Sequence, residues 1–185
     1  MTATGTVAHA GTVARDGIDA ASQADIAAVE QVLSDALGLP DASLVIYRRG
    51  ILVEFKTGQL APGLQVAFEG GYRSWQVGPF EGHHCHLDLN AVRRVWFDAE
   101  PVSCQQGRLN YTVWFLGSGD CGNPYRSDGL FSVTLNAPYL ADGTPRRGII
   151  DAVYALHAAH RGCAGVSASA AFTSAAISTA AVPSR

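Results

Sequence analysis

Between Ala42 and Leu135 the sequence breaks into short apolar runs with a period of two, and this alternation limits the possible folds more than any other feature. Successive side chains on an extended chain point to opposite faces, so such runs build sheets with one face toward a core. Strands are predicted at residues 43–47, 51–56, 64–68, 72–77, 84–89, 92–97, 108–116 and 130–135, with Gly, Pro, Asn and Asp punctuating the gaps. The first two runs are separated by Arg48, Arg49 and Gly50 and read as a hairpin. In the second run Ile51, Val53 and Phe55 face one way, and Leu52, Glu54 and Lys56 the other.

Helical spacing occurs only outside this block. Ile26, Val29, Leu33 and Leu37 mark one helix, opened by Ser22 and Asp25 in the manner of a capping box and stopped by Gly38 and Pro40. A closing helix is predicted from Thr144-Pro145, with Ile149, Val153, Leu156 and His160 on one face and an end near Gly162. Strands that are not interleaved with helices disfavour a parallel doubly wound sheet. The expected class is α+β, a large and mostly antiparallel sheet with an N-terminal and a C-terminal helix, in a single domain over residues 22–162. Residues 1–21 and the Ala/Ser/Thr-rich residues 163–185 offer little large apolar surface and are expected to be tails.

Charge excludes one class of partner. With a net charge of −3, 16% charged residues and no run of Lys or Arg, the chain offers no broad cationic face for nucleic acid. No apolar stretch approaches the roughly 18 residues of a membrane span, and no basic region followed by an apolar core opens the chain. A cytoplasmic location is expected. There, Cys85, Cys104, Cys121 and Cys163, which form no Cys-x-x-Cys pair, are expected to be free thiols.

Ligand-type residues concentrate in Gly82-His83-His84-Cys85-His86-Leu87-Asp88. On a strand His84, His86 and Asp88 share one face, and His83, Cys85 and Leu87 the other. Two imidazoles so placed suit a transition metal, or one of them can ligate haem iron axially, with Asp88 orienting a ring. A solvated polar strand without a ligand is the bland alternative. His157 and His160 on the closing helix either meet the same site or are partly buried helix residues. Tyr47 matters because a phenolate is a haem ligand. Arg93 and Arg94 either pair with acidic groups of a ligand or sit at a solvated edge. The loop from Gly117 to Pro124 has no Lys-Ser/Thr and opens no helix, so it is not a phosphate cradle, and no Gly-x-Ser-x-Gly elbow supports a hydrolase.

Several segments together resemble the intracellular haem-utilisation carriers of the HutX/ChuX type, relatives of the HemS haem proteins. Ser43-Leu44-Val45-Ile46-Tyr47 with Ile51-Leu52-Val53-Glu54-Phe55-Lys56 is similar to their paired strands, and Gly71-Tyr72-Arg73-Ser74-Trp75 to their Gly-Tyr strand. Cys85-His86-Leu87-Asp88-Leu89 is similar to their Gly-His-aliphatic strand, and Leu130-Phe131-Ser132-Val133-Thr134-Leu135 to the strand before their closing helix. The resemblance spans residues 42–160. It implies a HemS/ChuX-like fold, a homodimer, and haem held against the sheet for trafficking, storage or buffering. It puts the downstream family histidine on His86 and the upstream haem-proximal one on Tyr47; His84, on the same strand face as His86, is a further candidate iron or metal ligand, and Tyr72 a further candidate haem contact. The alternative on the same scaffold is an enzyme using haem or a His-bound transition metal on a small molecule. A plain interaction module, with the histidine strand at a dimer edge, is the third reading.

Overall fold

The computed structural model describes residues 25–48, 51–57, 64–67, 73–78, 84–103, 105, 107–118 and 129–180. The first helix, α1 (Ile26–Leu37), buries Val29, Val32, Leu33 and Ala36 at helical spacing. Its cap differs from the expected one. Asp25 is itself the N-cap, its carboxylate accepting from the Ala27 amide at 3.1 Å, as suits a short acidic side chain at a helix N-terminus. Ser22 lies outside the described residues.

The strands come next: β1 (Ala42–Arg48), β2 (Ile51–Lys56), β3 (Leu64–Ala67), β4 (Arg73–Val77), β5 (Cys85–Leu87), β6 (Arg94–Pro101), β7 (Leu109–Leu116) and β8 (Gly129–Leu135). All eight fall on the period-two runs. They divide between two sheets, one of six strands and one of three, ordered β3-β4-β5. The six-stranded sheet is antiparallel except at one edge, so the expected α+β class holds.

The exception comes from the segment expected to be a tail. After α2 (Arg147–His160), the chain forms β9 (Val166–Ala168), which pairs in parallel with β6, and then α3 (Ala170–Ala180). The larger sheet therefore runs β2-β1-β8-β7-β6-β9, and α2 is the crossover from β8 to the far edge. Ser169 starts α3 with its hydroxyl accepting from the Phe172 amide at 3.1 Å, a side-chain N-cap. Phe172, only 1% exposed, lies against Phe97, Tyr154 and His157. One large ring in an Ala-rich stretch anchors the C-terminal segment. That ring supplies the large apolar surface that the composition of the rest of the segment lacks.

The start of α2 is the other correction. Pro145 does not open the helix: it bridges to Tyr139, and Asp142 accepts from the Thr144 amide to close a turn. Arg146 takes the N-cap position without a side-chain cap, and its guanidinium pairs instead with Asp41 and the Ala137 carbonyl. That pairing ties the helix to the loop before β1.

Pairing registers fix what each face of the large sheet carries. Val95, Phe97, Tyr111, Val113, Phe115, Phe131, Val133 and Leu44 line the face packed against the helices. The reverse face carries a row of Ser167, Trp96, Trp114 and Ser132, and a second row of Asp98, Thr112, Thr134 and Ser43. Polar partners are matched there: Thr112 and Thr134 share a hydrogen bond at 3.2 Å, and Ser43 bonds Glu54 and Asn136.

The two helix histidines belong to the packing. His160 is buried with Nε2 2.8 Å from the Asp35 carboxylate, which ties α2 to α1. His157 rests on Phe97 and Phe172, and burial, followed by the nearby Arg161 charge, holds its pKa below the ordinary imidazole value. The native state then binds the His157 proton less readily than the unfolded chain, so stability falls as pH drops below the unfolded value. Thermal unfolding of wild type and His157→Gln is expected to diverge below about pH 6.5, with wild type losing more stability toward acid. Parallel pH profiles would contradict this placement of the ring.

Candidate functional site

The site is built on β5, the short edge strand of the three-stranded sheet. Register pairs Trp75 with Leu87, Gln76 with His86 and Val77 with Cys85. Trp75, Val77 and Leu87 enter the hydrophobic core, which also takes in Leu89 and Val92 from the next connection. Because these residues are buried, the alternation turns Ser74, Gln76 and His86 away from them. The sequence spacing anticipated this placing of His86 opposite Leu87.

His86 is exposed on a polar strand face. Its Nδ1 lies 3.1 Å from the Ser74 hydroxyl, and Ser74 itself is buried. When Nδ1 carries the proton toward Ser74, Nε2 is the nitrogen with a lone pair to give. That is the tautomer a metal-ligating imidazole needs, and the Ser74 hydroxyl on the other nitrogen is compatible with it. His84, also exposed, meets His86 edge to face, with ring centroids 5.1 Å apart and planes at 87°. The pair thus occupies one patch, as its spacing implied.

The other candidates fall elsewhere. Asp88 caps the 3-10 turn Leu89–Ala91, accepting from the Asn90 amide at 3.0 Å and its side chain at 3.2 Å. Ser74 provides the ring contact that Asp88 was expected to make. Tyr47 stands on β1, opposite Leu52, in the six-stranded sheet, so its strand and β5 belong to different sheets. The Tyr47 side chain, all of Tyr72, His83, Cys104 and Cys121 lie outside the described residues. His157 and His160 belong to the helix packing and not to the β5 patch. Cys85 is a free thiol whose pKa is pushed up by burial, which makes it a poorer nucleophile at neutral pH. Cys163 is free as well. Among the described residues no three His, Cys, Asp or Glu side chains converge on a point that could hold a metal ion. None of the described helices is long and apolar enough to cross a membrane.

Ser74 is the residue beside His86 that the sequence reading missed. A serine twelve positions upstream of a histidine carries no local signal, and only the β4–β5 register brings the two together. The two arginines also separate. Arg93 is exposed and donates to the Asn90 carbonyl, a solvated edge, whereas Arg94 is buried.

No protein-family model matches the sequence, and no curated protein matches it. Solved structures do match. A protein from Erwinia carotovora superposes with a TM-score of 0.52 at 14% identity, over 75% of this chain and 75% of its own. ChuX superposes with a TM-score of 0.51 at 9% identity, over 77% of this chain and 78% of its own. Identities this low speak to architecture alone. The chain has a ChuX-like α+β fold.

Proposed function

We propose that this protein binds haem and carries, stores or buffers it inside the cell, with His86 as the iron ligand. One observation carries the reading: an exposed imidazole on a sheet face, held through Nδ1 by a buried serine. The short motifs similar to HutX/ChuX-type carriers and the ChuX-like fold support it from two directions.

The donor set fits the group. A neutral imidazole is an ordinary axial ligand for haem iron, and a hydrogen bond donated from its other ring nitrogen raises its basicity. Bound haem would supply the iron and a broad apolar surface. The chain's own residues supply the rest: His86 gives the nitrogen lone pair, Ser74 sets the ring plane, and His84 stands against the His86 ring. Tyr47 is the second candidate ligand and Tyr72 a candidate wall of the site. A homodimer is part of the proposal.

Hemin titration of the purified full chain tests the proposal. A saturable, shifted Soret band reached at one hemin per chain is the expected result. An unshifted hemin spectrum at stoichiometric protein would reject it.

A further inference from the structure

Arg94 opens β6 on the sheet face turned away from the helices, opposite Leu116. It is only 9% exposed, yet among the described residues no carboxylate pairs with it and no acceptor bonds it. Its guanidinium carbon lies 5.5 Å from the centre of the Trp96 ring, and its Nε is sealed from solvent without an acceptor. A guanidinium keeps its charge at every accessible pH, so it cannot relieve burial by losing a proton. Such a group is costly to bury without an anion beside it. The next acid on this strand and face is Asp98, four residues on, which is roughly 13 Å of strand rise and beyond ion-pair reach. Its carboxylate accepts from the Ala99 amide.

A second sealed donor lies close by. The Ser167 hydroxyl is buried without a partner, and parallel pairing sets Ser167 directly beside Trp96 on the same face. Arg94, two residues before Trp96, and Ser167, one strand across, therefore flank the same indole. The terminal nitrogens of Arg94 are not sealed as Nε is, so the end of the fork reaches solvent. A planar fork and a hydroxyl beside an aromatic ring complement a flat monoanion. One cation matches one negative charge, which favours a carboxylate over a phosphate dianion.

We propose that Arg94 and Ser167 form a binding notch for the carboxylate of a small ligand, beside Trp96. The notch lies on β6 and β9 of the larger sheet, whereas His86 lies on β5 of the smaller one. None of its residues belongs to the proposed iron site, and its test involves no haem.

The probes are sodium benzoate, its neutral isostere benzamide, and sodium chloride at matched ionic strength, each titrated into the full chain. Proton–nitrogen NMR follows the Trp96 indole N–H, identified by its loss in Trp96→Phe, and the arginine Nε–H signals. Benzoate is expected to give saturable shifts of the Trp96 indole and of one Arg Nε–H. Benzamide and chloride are expected to give neither. Arg94→Gln is expected to abolish saturation, Arg93→Gln to leave it intact, and Ser167→Ala to weaken it about tenfold, the scale of one hydrogen bond to a charged group. Equal shifts with benzoate and benzamide, or none beyond those with chloride, would overturn the proposal in wild type alone. That comparison decides the matter even if Arg94→Gln does not fold.

Discussion

Replacing Phe172 with alanine is expected to destabilise the protein by about 3–5 kcal/mol, the range for removing a fully buried aromatic ring. The size follows from where the ring sits. Phe172 is 1% exposed, with its centroid 4.6 Å from that of Tyr154, 5.2 Å from His157 and 5.7 Å from Phe97. Phe97 stands on β6, and Tyr154 and His157 on α2, so the ring, itself on α3, joins three elements. Its loss leaves a cavity between layers that β9, three residues long, cannot collapse to fill. Urea unfolding of Phe172→Ala is expected to show a lower midpoint with an unchanged slope. A shift below about 0.5 kcal/mol, the scale of a surface substitution, would mean that the C-terminal segment does not dock as described.

The second large effect concerns the proposed ligand. His86→Ala is expected to weaken hemin binding at least a hundredfold, because it removes the only donor atom of this side chain to iron. Ser74→Ala leaves that donor in place and frees the ring to rotate. Loss of such an outer partner typically costs 10–100-fold in metal affinity. The predicted order is therefore wild type, then Ser74→Ala, then His86→Ala, with His84→Ala separating contact from ligation. Retained binding in His86→Ala, with a large loss in Tyr47→Phe, would move the ligand to β1. Ser74→Ala indistinguishable from wild type would remove the orienting role.

The strand block was legible because alternation is local. Val113 and Phe115 go inward and Thr112 and Trp114 outward whatever the rest of the chain does. The division into two sheets was not, since nothing in the runs themselves states which strand meets which. The segment after residue 163 failed for a different reason. Its composition is that of a solvated tail, and the parallel pairing of Val166, Ser167 and Ala168 with β6 depends on a helix carrying the chain across the sheet. Pro145 misled because a proline suits both the first turn of a helix and the bridge it forms with Tyr139.

The site divides along the same line. His84 and His86 were legible as a pair, since a strand of known polarity sets their face. Ser74 was not, because the pairing of β4 with β5 brings it to His86 across twelve residues of sequence. Arg93 and Arg94 are chemically identical neighbours, yet Arg93, which precedes β6, is exposed and Arg94, its first residue, is buried. Which of the two would be buried depended on the position of β6 in the sheet, beyond the reach of the sequence.

The most direct test is the ferric hemin spectrum of His86→Gly, recorded without and with added imidazole. If His86 supplies the axial nitrogen, the variant lacks the wild-type Soret position and free imidazole restores it. A His86→Gly protein with the wild-type spectrum and no response to imidazole would contradict the proposal.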